Sequence, residues 1–250
     1  MHGYFFALLS WVAVISGETI IQPPKLDRPL AVKLNSLRKK IRQLEGVVVA
    51  FSGGLDSTVM ARLCQQELGD QAVAITVNSL DYPKSDLLLA KKIAKIIGIK
   101  HETIDSDKDC VGKMFMQLKS TALEMDVQHV VSGTHFDDEQ NGSFSFAASK
   151  EHKIKTPLHE LKINKAEIVK LSKHLGLPIS KHQSKRIAQS FLHSLSLSST
   201  KLIVSAGSGS LIISSKNDLI KISALLPLIE QRFADLGFKK LSLMYTQKIK

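Results

Sequence analysis

Cysteine is almost missing from this chain. The two present, Cys64 and Cys110, are too few and too far apart for a disulfide framework or a cysteine-built zinc site, and they point to a reducing cytoplasm. Arginine-rich runs interleaved with aromatics are also absent, which leaves no sign of sequence-specific nucleic-acid binding. The longest apolar run, Tyr4 to Ile15, falls short of the ~18 residues that a spanning helix needs. It has the length of a signal-peptide core but no basic residue ahead of it, and Ser16-Gly17 makes a weak cleavage site. Three readings stay open for it: an export signal, an anchor touching a membrane weakly or a partner, and an extension outside the fold. Neither the Walker pattern of Gly, four residues, Gly-Lys-Ser/Thr nor the dinucleotide pattern GxGxxG occurs, so those two nucleotide-binding solutions are excluded.

What is present is globular in character. The 250 residues are 44% hydrophobic and 23% charged, enough to bury a full core and too apolar for global disorder. The formal net charge of +11 favours anionic partners. Its lysines are scattered (Lys91, Lys92, Lys95, Lys150, Lys153, Lys155, Lys239, Lys240), as on solvated faces, with a remainder available as an anion funnel.

Three parts are expected: an apolar extension and linker over 1–25, a main domain over 26–180 and a smaller α+β domain over 181–250. Residues 18–29 hold three of the seven prolines. After them, Leu30, Val32, Leu34, Leu37, Ile41 and Leu44 recur at near-helical spacing and Gly46 gives a stop. The continuous apolar run Val47 to Phe51 suits a strand buried on both faces of a parallel sheet. Strand and helix then alternate: helix 58–68, strand 71–79, helix 85–99 capped by Ser85, strand 100–107, helix 112–125 and a strand within 126–132. That rhythm predicts an α/β fold with a doubly wound parallel sheet, whose ligands sit at the carboxyl ends of the strands. Residues 133–153 are expected to be a loop and 164–176 a helix. Beyond 189 the composition turns serine-rich with β-branched runs, then ends in a helix and a strand.

SGGLDS, residues 52–57, lies between the first strand and the helix after it. Gly53 and Gly54 let backbone N–H groups approach phosphate oxygens, Ser52 and Ser57 add hydroxyls, and the helix start presents its positive end. Asp56 would repel an anion unless a divalent cation sits between them, and Mg²⁺ resolves the conflict. A phosphate-bearing ligand with Mg²⁺ is therefore expected.

These residues resemble the PP-loop ATP pyrophosphatases, whose signature is Ser-Gly-Gly-x-Asp-Ser. Downstream, Asn78-Ser79 with Tyr82-Pro83, AKKIAKIIGIKH, VVSGTHFDD (130–138), TPLHELKINKAEIVKLSKHLGLP (156–178) and DLGFKKLSL resemble the LarE family of ATP-dependent sacrificial sulfur transferases, over about 30–250. The resemblance implies ATP cleavage between the α and β phosphates and adenylation of a carboxylate on a pyridinium dicarboxylate mononucleotide, followed by conversion to a thiocarboxylate. Matched by position, it implies that Ser52, Gly53, Gly54, Asp56 and Ser57 hold the pyrophosphate, that Ala50, Phe51, Thr76 and Asn78 surround the adenosine, and that Gly133, Thr134 and Asp137 complete the site. Asp56 and Asp137 are the expected metal ligands; a helix-capping role is the alternative for Asp137. A small nucleotide-like acceptor and association into a homo-oligomer are the accompanying expectations.

The chain departs from that family in the acceptor and sulfur-transfer parts. Of the Cys-x-x-Cys-Lys block only the second cysteine, Cys110, is matched, with Phe115 and Leu118 after it; the first falls near Asp107 and the lysine on Val111. Arg186 stands where the sulfur-donor cysteine belongs, Asn141 to Ser145 replace Asp-Tyr-Arg-Pro-Gly, and TQKIK replaces the C-terminal substrate loop. Three functions follow as alternatives: an adenylating enzyme whose only thiol near the site is Cys110, a degenerate ATP-binding member that regulates or binds a partner, and a ligase using ammonia or an amine. Asp56, Ser57 and Cys110 are the candidate catalytic residues. Cys64 reads as core.

Overall fold

The structure is a computed structural model. It describes residues 24–245 except 80–81, 107–109, 179–180, 198, 206–207 and 237, and leaves out the side chains of 181–183, 186, 190 and 205. The apolar run 4–15, Asp107, the side chain of Arg186 and the segment 246–250 lie outside the described residues.

Helix α1 (Arg28–Arg42) opens the fold. The Asp27 carboxylate accepts from Leu30 N–H at 3.0 Å and Pro29 occupies the first turn, where its missing N–H costs nothing. Leu30, Leu34, Leu37 and Ile41 are buried. Val32, expected on the same face, is 59% exposed, because a two-residue step turns it to the far side of the helix.

The chain continues through β1 (Val47–Ala50), α2 (Leu55–Leu68), β2 (Ala72–Ser79), α3 (Lys84–Ile97), β3 (Lys100–Ser106), α4 (Val111–Glu124) and β4 (His129–Val131). The sheet is parallel with order β3-β2-β1-β4. Successive β1 residues point to opposite faces. Val47 and Val49 pack into one apolar cluster with Leu63, Ile93 and Leu37, while Val48 joins Phe115, Leu118 and Val130 on the other side. Burial on both faces explains why the strand reads as an unbroken apolar run. The order reverses between β1 and β4, and the crevice at their carboxyl ends is the switch point where this architecture takes ligands.

Two expectations need correction here. Residues 133–153 are not a loop: α5 (Phe136–Gln140) and α6 (Phe144–Glu151) occupy them, too short to show an apolar period, with α6 capped by Ser143, whose hydroxyl accepts from Ser145 N–H. Ser85 does not cap α3; the helix begins one residue earlier, after Pro83.

After α7 (Pro157–Glu160) and α8 (Lys165–His174) comes α9 (Lys181–Ser194), which the serine-rich composition concealed. It buries Ile187, Ala188 and Leu192. Strands β5 (Thr200–Ser205), β6 (Ser208–Ile213) and β7 (Lys240–Tyr245) form a second sheet, antiparallel then parallel, with α10 (Lys216–Asp235) between β6 and β7. The main apolar cluster runs without a break from Leu30 to Phe238. Among the described residues no helix is long and apolar enough to cross a membrane.

Much of the positive charge is spent on packing elements together. Lys33 pairs with Glu167 at 2.8 Å, Lys40 with Glu160 at 2.7 Å, and Arg38 and Arg42 both grip Glu67. The cysteines divide sharply. Burial pushes the Cys64 thiol up to about 12, whereas Cys110 is exposed. A thiol reagent at neutral pH is expected to label one cysteine per folded chain and two in denaturant, since the thiolate is the reacting species; fast labelling of both in the folded protein would contradict this packing.

Candidate functional site

Strand β1 ends at Ala50 and the chain turns at Ser52–Gly54 into α2. Gly53 has φ +67° and lies against the backbone of Ala90, where an added Cβ would come within 2.9 Å of Ala90 Cα; the turn needs glycine both for its handedness and for its fit. Gly54 is the N-cap of α2 and supplies no side-chain acceptor, so no capping side chain takes up the opening N–H groups of that helix. The loop is folded on its own hydroxyls. Ser57 Oγ donates to Gly54 O at 3.1 Å and lies 3.2 Å from Ser52 Oγ, and Gly54 N–H donates to Ser52 Oγ at 3.3 Å. Tyr82 O–H donates to Ser52 O at 2.9 Å, closing the loop from the β2–α3 side.

A second relay steadies the strand end. The Thr76 hydroxyl donates to Phe51 O at 2.8 Å, so its contact with His101 Nε2, also 2.8 Å, is one in which the imidazole N–H donates. Burial, helped by Lys91, holds the His101 pKa below its ordinary value, consistent with a neutral ring. Phe51 meets His101 edge to face with centroids 5.7 Å apart.

These elements enclose a cavity of about 430 Å³. Of the expected residues, Ala50, Phe51, Ser52, Asp56, Ser57, Thr76, Gly133 and Thr134 line it, and so does Cys110. Cys110 caps α4, its Sγ accepting from Lys113 N–H at 3.4 Å. Asn78 does not line the cavity. Its register partner is Asp105, and its amide donates to the Asp105 carboxylate at 2.8 Å. Opposite the loop, Gly133 packs so closely that a Cβ there would stand 2.6 Å from Ser57 N. Ser132 Oγ and Thr134 Oγ1 sit 2.8 Å apart beside it.

A second, larger cavity of about 800 Å³ opens on the other side of the loop, toward α8, α9 and α10. Ser52, Asp56 and Asp138 line both cavities. Asp137 lines only the second; its carboxylate accepts from Lys165 N–H at 2.7 Å, at the start of α8. It therefore serves the N-terminus of a helix other than its own.

Lys165 is the residue the sequence reading missed. Its ammonium donates to both Asp56 carboxylate oxygens at 2.6 Å, and its backbone holds Asp137, so one residue ties the two carboxylates to α8. A reciprocal cap fixes α8: Glu167 N–H donates to Asn164 Oδ1 and Asn164 N–H to Glu167 Oε2, both at 2.9 Å. The available signal was a lysine at the first helical position, where the helix dipole favours an acid. His135 is a further neighbour, its Nε2 3.9 Å from Asp56 Oδ1.

The chain is similar to several known proteins. Residues 30–135 match the family described as NAD synthase. An uncharacterized protein of Synechocystis sp. is 32% identical over 164 residues, covering 60% of this chain and 61% of that one. The pyridinium-3,5-bisthiocarboxylic acid mononucleotide synthase of Lactiplantibacillus plantarum is 27% identical over 164 residues, 59% of each chain. The chain thus spans about three fifths of the length of these curated relatives. Among solved structures, the NH3-dependent NAD synthetase of Campylobacter jejuni has a similar fold, with a TM-score of 0.51 and 15% identity over 86% of this chain and 96% of that one.

Proposed function

We propose that this chain, which belongs to the PP-loop ATP pyrophosphatase superfamily, binds MgATP in the β1/β4 crevice and adenylates a carboxylate with release of pyrophosphate. The observation that carries the reading is the position of Asp56, on the wall common to both cavities and held by Lys165 at 2.6 Å. The smaller cavity suits adenosine: its floor is apolar (Phe51, Val77, Met114, Leu118) and its rim carries hydroxyls. Phosphates then fall on the open N–H groups of α2 and on Lys165.

The oxygens present fit Mg²⁺ of the kind that arrives with a nucleotide. This ion keeps water and substrate phosphates in its shell and takes only one or two carboxylates from protein. Asp56 is the first; Asp137 and Asp138 are the neighbouring carboxylates, each accepting one backbone N–H, from Lys165 at 2.7 Å and from His135 at 2.8 Å. When bound, the ion would neutralise charge developing on the leaving pyrophosphate. Lys165 orients Asp56 and adds a second positive charge in the same place.

The acceptor in this reading is of the class named by the Lactiplantibacillus relative, a pyridinium carboxylate mononucleotide, and the product a thiocarboxylate. Cys110 is the thiol on the nucleotide cavity, and it supports sulfur transfer despite Arg186 at the family's donor position. Its thiolate would displace AMP from the acyl adenylate to give a thioester; loss of the α-proton with cleavage of the Cβ–S bond would leave the thiocarboxylate and dehydroalanine. Amide formation, with ammonia displacing AMP, is the competing outcome, and ATP binding without turnover is the degenerate one.

Pyrophosphate release from MgATP, measured across a panel of pyridine carboxylates and their nucleotides, is expected to require both ATP and an acid. Intact-mass analysis after turnover is expected to show Cys110 lighter by H₂S. Turnover with an unchanged mass would reject the sacrificial thiol, and ATP binding with no pyrophosphate release from any acid would reject adenylation.

A further inference from the structure

Two consecutive carbonyls at the root of the glycine turn are each held by a side chain from outside the turn. Thr76 O–H donates to Phe51 O at 2.8 Å, and Tyr82 O–H to Ser52 O at 2.9 Å. Thr76 belongs to β2 and Tyr82 to the connection between β2 and α3; behind Thr76 stands His101 of β3, at 2.8 Å. Strand register alone does not bring these two together. The Cα partner of Thr76 is Thr103, and His101 lies opposite Ala74, so the imidazole reaches along one face of the sheet to meet the hydroxyl. Thr76 is 1% exposed, and its single proton is spent on Phe51 O. Although Thr76 lines the nucleotide cavity, it has no proton left to donate to a base.

Holding a carbonyl fixes a peptide plane. In a trans peptide the N–H of the next residue points opposite to the carbonyl. With Phe51 O on Thr76, Ser52 N–H is turned away from β2, and it donates to Ser57 Oγ at 3.3 Å in the first turn of α2. Tyr82 sets the following plane, the one that enters Gly53. A carbonyl rotated toward the anion would place the negative end of a peptide dipole among the phosphate oxygens, and a glycine has no Cβ to resist that rotation.

We propose that His101, acting through Thr76, and Tyr82 are positioning residues for the triphosphate: together they hold the Phe51–Ser52 and Ser52–Gly53 peptides in the orientation that accepts phosphate, and their hydrogen bonds do not read the base. The assignment rests on the MgATP-binding part of the reading above and is independent of the acceptor and of the sulfur chemistry.

Calorimetric titration of the full chain with MgATP, inorganic pyrophosphate and adenosine tests it. Tyr82→Phe and His101→Leu are each expected to weaken MgATP and pyrophosphate by about tenfold, the loss of one hydrogen bond that leaves a buried partner unsatisfied, and to leave adenosine affinity as it was. His101→Gln places an amide donor where Nε2 stood but gives up the ring that meets Phe51 edge to face. Recovery of MgATP affinity in this variant therefore isolates the donated hydrogen bond from ring packing. Thermal unfolding checks that each variant is folded. Adenosine and MgATP affinities that fall together would overturn the proposal in favour of a cavity-shaping role. So would unchanged MgATP affinity in Tyr82→Phe and His101→Leu, or a His101→Gln protein as weak as His101→Leu. Wild-type protein that does not bind MgATP overturns the proposal along with the reading beneath it, whereas the expected binding pattern with no pyrophosphate released from any acid would sink adenylation and leave the positioning role standing.

Discussion

Asp56→Asn is expected to reduce ATP-dependent pyrophosphate release by about 10²–10³-fold, the range seen when one charge-stabilising group is removed from a preorganised site. The substitution keeps the shape of the side chain and removes its charge. Two consequences follow from the geometry. The Lys165 ammonium loses the two oxygens it holds at 2.6 Å, and the cation accompanying the phosphates loses its protein carboxylate. Because Lys165 and Asp56 act on the same group, Lys165→Met in the Asp56→Asn background should cost much less than Lys165→Met alone, a non-additivity expected of directly contacting residues. Measuring pyrophosphate release for the wild type, both single variants and the double variant checks this. Additive losses would mean that the pair does not work as a unit, and an Asp56→Asn protein with wild-type turnover would remove the phosphate loop from the chemistry.

Gly133→Ala is the second large expectation, and it concerns packing before chemistry. A methyl at this position would lie 2.6 Å from Ser57 N and 2.7 Å from Asp56 C. Both are backbone atoms of the loop-to-helix junction, so neither can swing aside as a flexible side chain would. Either β4 or the first turn of α2 must move. Over-packing of this kind costs about 1–3 kcal/mol, which for a chain of this size means a fall in Tm on the order of 5 °C. The heavier loss is expected in ATP affinity, because Asp56 and Ser57 are displaced together. Thermal unfolding with and without MgATP reads both effects: the variant should melt earlier and show little nucleotide-induced stabilisation. A variant that melts like wild type and is stabilised equally by MgATP would show that β4 gives way without disturbing the loop.

The strand–turn–helix unit around Gly53 was legible because it is continuous in sequence. Strand, glycine turn and helix start occupy residues 47 to 57, and each local preference agrees with the others. The parallel sheet was legible for a similar reason, since a strand buried on both faces is apolar at every position, as β1 is. The residues missed are those whose role depends on distant partners. Nothing within the window around Lys165 indicates that its ammonium will meet Asp56, and only the fold brings them together. Asn78 was placed at the adenosine by analogy of position, but the register of β2 against β3 sets it opposite Asp105, which takes its amide. Helix α6 escaped because eight residues rich in Phe, Ala and Ser give no clear apolar stripe.

The bond between Lys165 and Asp56 joins residues 109 positions apart, and its donor is held in place by the Asn164–Glu167 cap and, through Glu167, by Lys33 of the first helix. The glycine loop thus lies early along the chain, and its counter-charge comes from the eighth helix. The stretch ending at residue 135, where the matched family segment stops, contains the glycine turn and all four strands of the parallel sheet but not the lysine that faces Asp56. The candidate site thus takes its shape from one end of the chain and its charge balance from the other side of the fold, through contacts that run from Asp56 to α8 and back to the N-terminal helix.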